Sequence, residues 1–484
     1  MSTLAPMPPL SPITPAAAAA TPAPQAPALS ARSLRRGGMI YGASHFLGMG
    51  LGFVSSMILV RVADRPSVAS YLLLLQATLA LALLLELGLG QAALRFAPVC
   101  RGEGGAVFTG QLRRRLLLLE LAVWVVVAPP VFFVWPLVAR RLEAPELANA
   151  APFLLAVAML GSFSRILDAY LRAFRFYTSS AVLTHFLPRA ILLGGFVFLL
   201  GSHIRDASWT ALISLFLVSQ FVTTLVYALR LPATTPAETS EPRVAIPPPP
   251  TREIFNTTFA MGLRSAASIL MISSDLWILS WARSHSEVAV YGVVTRIVQV
   301  MEALTLIASF LIPQEFAMLY ADGKKVELER LARTASTAVA ILSLGSLLGI
   351  VFLGRPLIRL AFGESYLSGW GILLILAVGV FWDAASGTAG YLLQMTGNHV
   401  ILFLLTLGGA TFNVVLNLFL APRLGGYGVA VATCLTLIGL NLAFVAVARR
   451  RLGVKTFVYF RWPEWRRVFL LLLPFGRGWG NRGA

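Results

Sequence analysis

Apolar runs of about 20 residues recur from residue 39 to residue 449, each long enough as helix to cross a hydrocarbon core of about 30 Å. The pattern predicts twelve spans, over 39–60, 70–94, 116–137, 151–171, 179–200, 208–229, 254–280, 288–312, 334–354, 371–395, 401–421 and 427–448. A shorter stretch, "VFLLLLPF" at 468–475, ends at a proline and is expected to lie at the interface. The longest polar interruption, "RLPATTPAETSEPRVAIPPPP" and its flanks at 230–253, reads as an irregular cytoplasmic linker. It divides the chain into two six-helix bundles, 39–229 and 254–449. Residues 1–38 are Pro/Ala-rich, lack the apolar stretch of a secretory signal, and are expected to form a disordered cytoplasmic tail. Residues 450–484 read as a basic cytoplasmic tail.

Composition agrees with an all-α polytopic membrane protein: 57% of residues are hydrophobic and 12% charged, about half the charge of a soluble domain. The net charge of +18 would suit nucleic acid, but its distribution points elsewhere. With both termini inside, cytoplasmic segments hold 26 Lys and Arg and outer loops hold 9, so the positive-inside rule places both termini in the cytoplasm. The excess is available to anionic membrane lipids, and no nucleic-acid partner is expected. Cys100 and Cys434 fall in a loop and a late helix, so no disulfide is expected. Neither Cys nor His has the spacing of a metal site, and no phosphate loop or catalytic constellation is visible, so no enzyme and no bound cofactor are expected.

The halves can be superposed on one another at an offset of 220: "ILVRVADRPSVASY" (58–71) aligns with "ILSWARSHSEVAVY" (278–291), pairing Tyr71 with Tyr291. In the same register Phe96 and Ala97 meet Phe316 and Ala317. Copies six helices apart run the same way through the membrane, which makes this a parallel repeat.

Several segments resemble polysaccharide flippases of the MOP superfamily: "LELGLGQAALRF" (85–96), "SSDLWILSWARSHSEVAVYGVVTRI" (273–297), "LIPQEFAMLYADGKKVELERLARTAS" (311–336) and "FGESYLSGWGILLIL" (362–376). Their order and spacing cover most of residues 39–449. The resemblance implies a V-shaped, MATE-like pair of bundles in a bacterial inner membrane, working by alternating access. It implies a lipid-linked anionic oligosaccharide as substrate, a polyprenyl-diphosphate carrier moved from the inner to the outer leaflet. Polysaccharide polymerases and glycosyltransferases are the partners such a role would have.

One segment, "SFSRILDAYLRAFRF" (162–176), carries charge where apolar residues are expected. At 100° per residue Arg165, Asp168, Arg172 and Arg175 share an arc of roughly 80°, opposite Phe163, Leu167 and Phe174. Either Arg172 and Arg175 snorkel to headgroups at the cytoplasmic end, or this face meets something polar. Arg165 lies deeper. Arg189 follows Pro188, where a kink opens the backbone. Arg264 shares a face with Ser268 and Asp275, and Arg296 lies in the outer half of the next span. In the implied architecture Arg165, Arg172, Arg189, Arg264 and Arg296 are candidates for a cationic vestibule, because a guanidinium fork suits a diphosphate. The alternative for each is a structural ion pair.

Glu86, Asp168, Asp275, Glu302 and Asp383 are the membrane acids, read either as counter-ions or as sites coupling transport to a proton or sodium gradient. Asp168 fits a counter-ion, at helical spacing from Arg165 and Arg172. Asn413 and Asn417 fit interhelical hydrogen bonding. A MATE-type multidrug or cation antiporter is the main alternative function, with Asp275 and Asp383 as its acids. Against it, helix one has no acid and the membrane arginines would repel a cation. A lipid II flippase resembles a fourteen-helix chain, and a non-transporting scaffold of a glycan-assembly complex would not need the arginines.

Overall fold

The computed structural model describes residues 31–98, 100, 105–142, 145–174, 176–202, 209–233, 247–252, 254, 269, 271 and 273–458. All regular structure among them is helical. The first half runs α1 (Ala31–Val62), α2 (Arg65–Leu85), α3 (Leu89–Phe96), α4 (Gly105–Arg141), α5 (Pro145–Ala148), α6 (Ala151–Ala173), α7 (Tyr177–Ala181), a π-helical turn (Val182–Phe186), α8 (Leu187–Gly201) and α9 (Trp209–Ala233). The second runs α10 (273–282), α11 (His285–Ala321), α12 (Lys325–Phe362), a 3₁₀ turn (Glu364–Gly369), α13 (Trp370–Ser386), α14 (Ala389–Met395), α15 (His399–Leu424) and α16 (Gly426–Leu452).

Ten spans among the described residues are long and apolar enough to cross a membrane. The other two spans the sequence predicts, 254–280 and 288–312, run through residues or side chains outside the described set, as do Arg175, Arg264, most of the 230–253 linker and the 468–475 stretch. Several helices overrun their apolar windows. α1 begins at Ala31, inside the stretch expected to be irregular, and α4 and α12 extend to 37 and 38 residues. A helix once formed across the bilayer continues into good helix formers such as Arg and Lys until a breaker stops it. Pro129, Pro130 and Pro136 sit inside α4 without ending it. Membrane helices tolerate such prolines because neighbours re-satisfy the freed carbonyls.

The repeat predicted at offset 220 appears in the helix boundaries. α1 ends at Val62 and α10 at residue 282, and α2 begins at Arg65 as α11 begins at His285. Tyr71 and Tyr291, Val68 and Val288, and Phe96 and Phe316 are all buried. The copies differ at one point. α11 is continuous, whereas its counterpart breaks at Glu86–Gly88, with Leu87 at φ 47° and Gly88 at φ 77°. Gly88 supplies the left-handed residue that the break needs.

The core is shared at one end of the molecule and divided at the other. Near the starts of α2 and α11, one cluster unites Leu59, Tyr71 and Leu72 with Leu276, Tyr291 and Phe362. At the opposite end the halves have separate cores, one around Phe96, Leu112 and Tyr170, the other around Phe316, Leu392 and Ala448. Polar bonds reinforce the shared end. Arg65 Nη1 donates to Ser286 Oγ at 2.9 Å and its guanidinium lies 5.4 Å from the Tyr366 ring. Arg61 Nη2 donates to the Leu360 carbonyl at 3.1 Å.

Candidate functional site

α6 answers the question its charges raise. Its apolar face, through Phe163 and Leu167, lines a groove of about 820 Å³ with Leu217 and Phe221 of α9. The opposite face carries the charges, and each described arginine there holds a carboxylate. Arg165 Nε lies 2.7 Å from Glu86 Oε2, at the break between α2 and α3. Gly90 makes this possible: its N–H donates to Glu86 Oε1, and a Cβ there would stand 2.4 Å from that oxygen.

Arg172 Nε lies 2.8 Å from Asp168 Oδ2, one helical turn back. The other oxygen, Oδ1, accepts from Ser180, Thr184 and Tyr227 at 2.5, 2.9 and 3.1 Å. Asp168 therefore ties α6 to α7, the π turn and α9. This is the arrangement of a structural node, with one carboxylate oxygen held by three hydroxyls and the other set against a guanidinium.

The backbone opens where Pro188 predicts it. Proline has no N–H to return to the preceding turn, and the helix loosens into the π turn over Val182–Phe186 just before it. Arg189 Nη1 donates to the His185 carbonyl at 2.8 Å. α1 lies against this turn through glycines: a Cβ on Gly48 would stand 2.4 Å from the His185 oxygen, and one on Gly52 would stand 3.5 Å from Arg189 Nε.

Arg296 of α11 donates to Gln299 Oε1 at 3.1 Å, and its Nε is buried without a hydrogen-bond partner among the described residues. Arg189 and Arg296 belong to opposite halves yet lie within electrostatic reach of each other. Arg172 and Arg189 both lie within reach of His185. Neither Arg189 nor Arg296 makes an ion pair among the described residues. Arg189 thus lies within reach of Arg296 and shares His185 with Arg172, which Asp168 holds, while Arg165 is held by Glu86 and Arg264 lies outside the described residues. Two guanidiniums with no carboxylate partner among the described residues form a positive field, which favours an anion over a cation.

The acids divide as well. Asp275 is buried among neutral donors: Tyr291 and Thr433 donate to Oδ2 at 2.8 and 2.7 Å, and Asn417 Nδ2 donates to Oδ1 at 2.8 Å. Asn417 also donates to Asn413 Oδ1 at 3.1 Å, which accepts from Ser274 at 3.0 Å. This network joins α10, α11, α15 and α16, and no cationic side chain reaches Asp275 among the described residues. Asp383 accepts from Asn441 Nδ2 at 2.6 Å, and Glu302 lies within its electrostatic reach; both carboxylates are exposed.

Two clusters escaped the sequence. Glu120 is fully buried in α4, where Trp124 Nε1 donates to its Oε1 at 2.9 Å and to Ser162 Oγ at 3.0 Å. A Glu four residues before a Trp in the otherwise uncharged "LLLLELAVWVVV" was the available signal. His45 and His185 meet edge to face with ring centroids 4.5 Å apart. Their signal was two histidines within apolar spans.

The fold has close counterparts. Over 86% of this chain and 98% of the other it matches an inward-facing multidrug resistance MATE family transporter of the MOP superfamily, with TM-score 0.67 and 18% identity. Over 89% of this chain and 90% of the other it matches the lipid II flippase MurJ in an inward closed conformation, with TM-score 0.68 and 14% identity. A MOP superfamily transporter from Pyrococcus furiosus, described as having a binding pocket of reverse polarity, matches over 87% of this chain and 96% of its own at TM-score 0.63 and 17% identity. No curated protein matches the chain. The family model described as polysaccharide biosynthesis protein matches residues 34–318. The chain is a multi-pass membrane protein with the fold of MOP-superfamily transporters, and it belongs to the polysaccharide biosynthesis protein family.

Proposed function

We propose that this protein is a flippase for a polyprenyl-diphosphate-linked oligosaccharide, moving it from the inner to the outer leaflet of a bacterial inner membrane. The observation that carries the reading is the approach of Arg189 and Arg296 from opposite halves with no carboxylate paired to either among the described residues. Arginines in a membrane span cost about 2.5–3.5 kcal/mol each on insertion scales, so two that repel each other there need a purpose. A diphosphate bridging them removes the repulsion, and its binding draws the halves together, as alternating access requires. With both termini in the cytoplasm, the end with divided cores faces the cytoplasm, the side on which such a lipid is made.

Asp275 supplies the coupling site in this reading. A buried carboxylate among neutral donors and without a cationic partner has room for a proton or a sodium ion in the role an arginine would otherwise fill. Asp275 and Asp383 are the acids a cation antiporter would use, but arginines with no carboxylate partner among the described residues oppose a cationic substrate.

Export of surface glycan in cells lacking the native protein, complemented with Arg189→Ala and Arg296→Ala, tests the reading. Loss of export with accumulated lipid-linked glycan, at normal membrane abundance, is the expected result. Export at the wild-type level in both variants excludes an anion path through this pair.

A further inference from the structure

The histidine pair lies beside the arginine that the proposed anion site uses. His45 Nδ1 stands 3.3 Å from His185 Nδ1 and 3.4 Å from its Nε2, although the two residues are 140 positions apart. His185 is buried, and His45 Nε2 is a buried nitrogen without a hydrogen-bond partner among the described residues. His45 Nδ1 is nearly equidistant from the two nitrogens of a ring that it meets edge to face, so it lies over the face of the His185 ring, where an N–H or an imidazolium is attracted by the π electrons. A proton on one ring is compatible with this contact, whereas protons on both set like charges against each other.

Burial and the surrounding charges decide when that proton can arrive. α8 presents Arg189, whose side chain donates to the His185 carbonyl. α6 presents Arg172, whose charge is met by Asp168. From α9, Tyr227 approaches through Thr184, with its hydroxyl 2.6 Å from Thr184 Oγ1. α1 presents glycines rather than carboxylates at this contact. Among the described residues Arg189 is a charge beside the pair with no carboxylate partner, and it opposes an imidazolium until an anion neutralises it.

We propose that His45 and His185 form a proton-binding site linked to the anion site at Arg189, so that a diphosphate bound there takes up a proton with it. The inference rests on the anion-binding role of Arg189 proposed above. Linkage works in both directions: the anion favours the extra proton, and the proton tightens the anion.

The test is calorimetric. Farnesyl diphosphate is titrated into the purified full-length protein in buffers of different ionisation enthalpy, followed by inorganic sulfate, which does not titrate between pH 5.5 and 8. Proton uptake with both ligands is expected in the wild type, with affinity rising as pH falls by up to about tenfold per unit, the limit for one linked proton. In His45→Gln and His185→Gln the uptake with sulfate should vanish while binding persists. Sulfate has no proton of its own to exchange in this range, so the wild-type result stands even if a variant fails to fold. Binding without proton uptake overturns the proton site and leaves the anion site intact. Failure of the wild type to bind either anion overturns the anion site, and the proton site with it.

Discussion

Leu72 packs on Gly292, the residue 220 positions further along and its own counterpart in the repeat: a Cβ at Gly292 would stand 2.6 Å from Leu72 Cδ1. A contact between equivalent positions places the relation between the halves at the starts of α2 and α11, inside the shared core. The two halves meet there and have separate cores at the other end.

Gly292→Leu should disrupt this contact. The added side chain enters space that Leu72 occupies, and overpacking of a filled core costs about 1–3 kcal/mol. Thermal unfolding in detergent should show a lowered midpoint, and Leu72→Ala should restore much of it. Equal destabilisation in both backgrounds would mean the two positions do not interact.

Arg65→Ala should loosen the shared end. It removes the donor to Ser286 and the stacking on Tyr366 that cross between the halves. A thiol placed by Ser286→Cys should react several-fold faster with a maleimide when Arg65 is absent. Unchanged labelling would assign the closure to the apolar core alone.

Asp168→Ala should act on stability before transport. Its removal takes the carboxylate from Arg172, whose side chain is 34% exposed and so partly screened by solvent, and a charged acceptor from three hydroxyls, each such hydrogen bond contributing about 1.5–3 kcal/mol. Membrane abundance is the readout, with the expectation of a severe loss in Asp168→Ala and a smaller one in Asp168→Asn.

Asp275→Asn separates charge from shape. The amide has the same size, and the Tyr291 and Thr433 hydroxyls can turn to accept from its NH2, so abundance should hold while glycan export falls and loses its response to the ion gradient. Wild-type export across a collapsed and an intact gradient would remove Asp275 from coupling.

How far the sequence could be read differs from residue to residue. The opening before Pro188 was legible because a proline imposes local geometry, whereas the break at Gly88 falls inside a span that hydropathy predicts as continuous, 70–94. The two faces of α6 were legible because helical periodicity is local too. The partners of those faces were not. Asp168 stood at helical spacing from both Arg165 and Arg172, and the fold gives it Arg172 while supplying Glu86 to Arg165 from 79 residues away. Asp275, whose partner periodicity left unnamed, finds neutral donors on three other helices. Glu120 and the histidine pair passed unnoticed because isolated polar residues in apolar spans carry no pattern.

The sequence alone determined the membrane class, the repeat and the faces of the helices. These follow from run length against bilayer thickness, from tyrosines and phenylalanines recurring at one offset, and from a period of 3.6 residues. Only the tertiary structure decided which guanidiniums keep a free charge and which are neutralised. Periodicity assigns a side chain to a face of its own helix, whereas an ion pair depends on which other helix that face meets, and in a bilayer that choice is made by packing between distant segments.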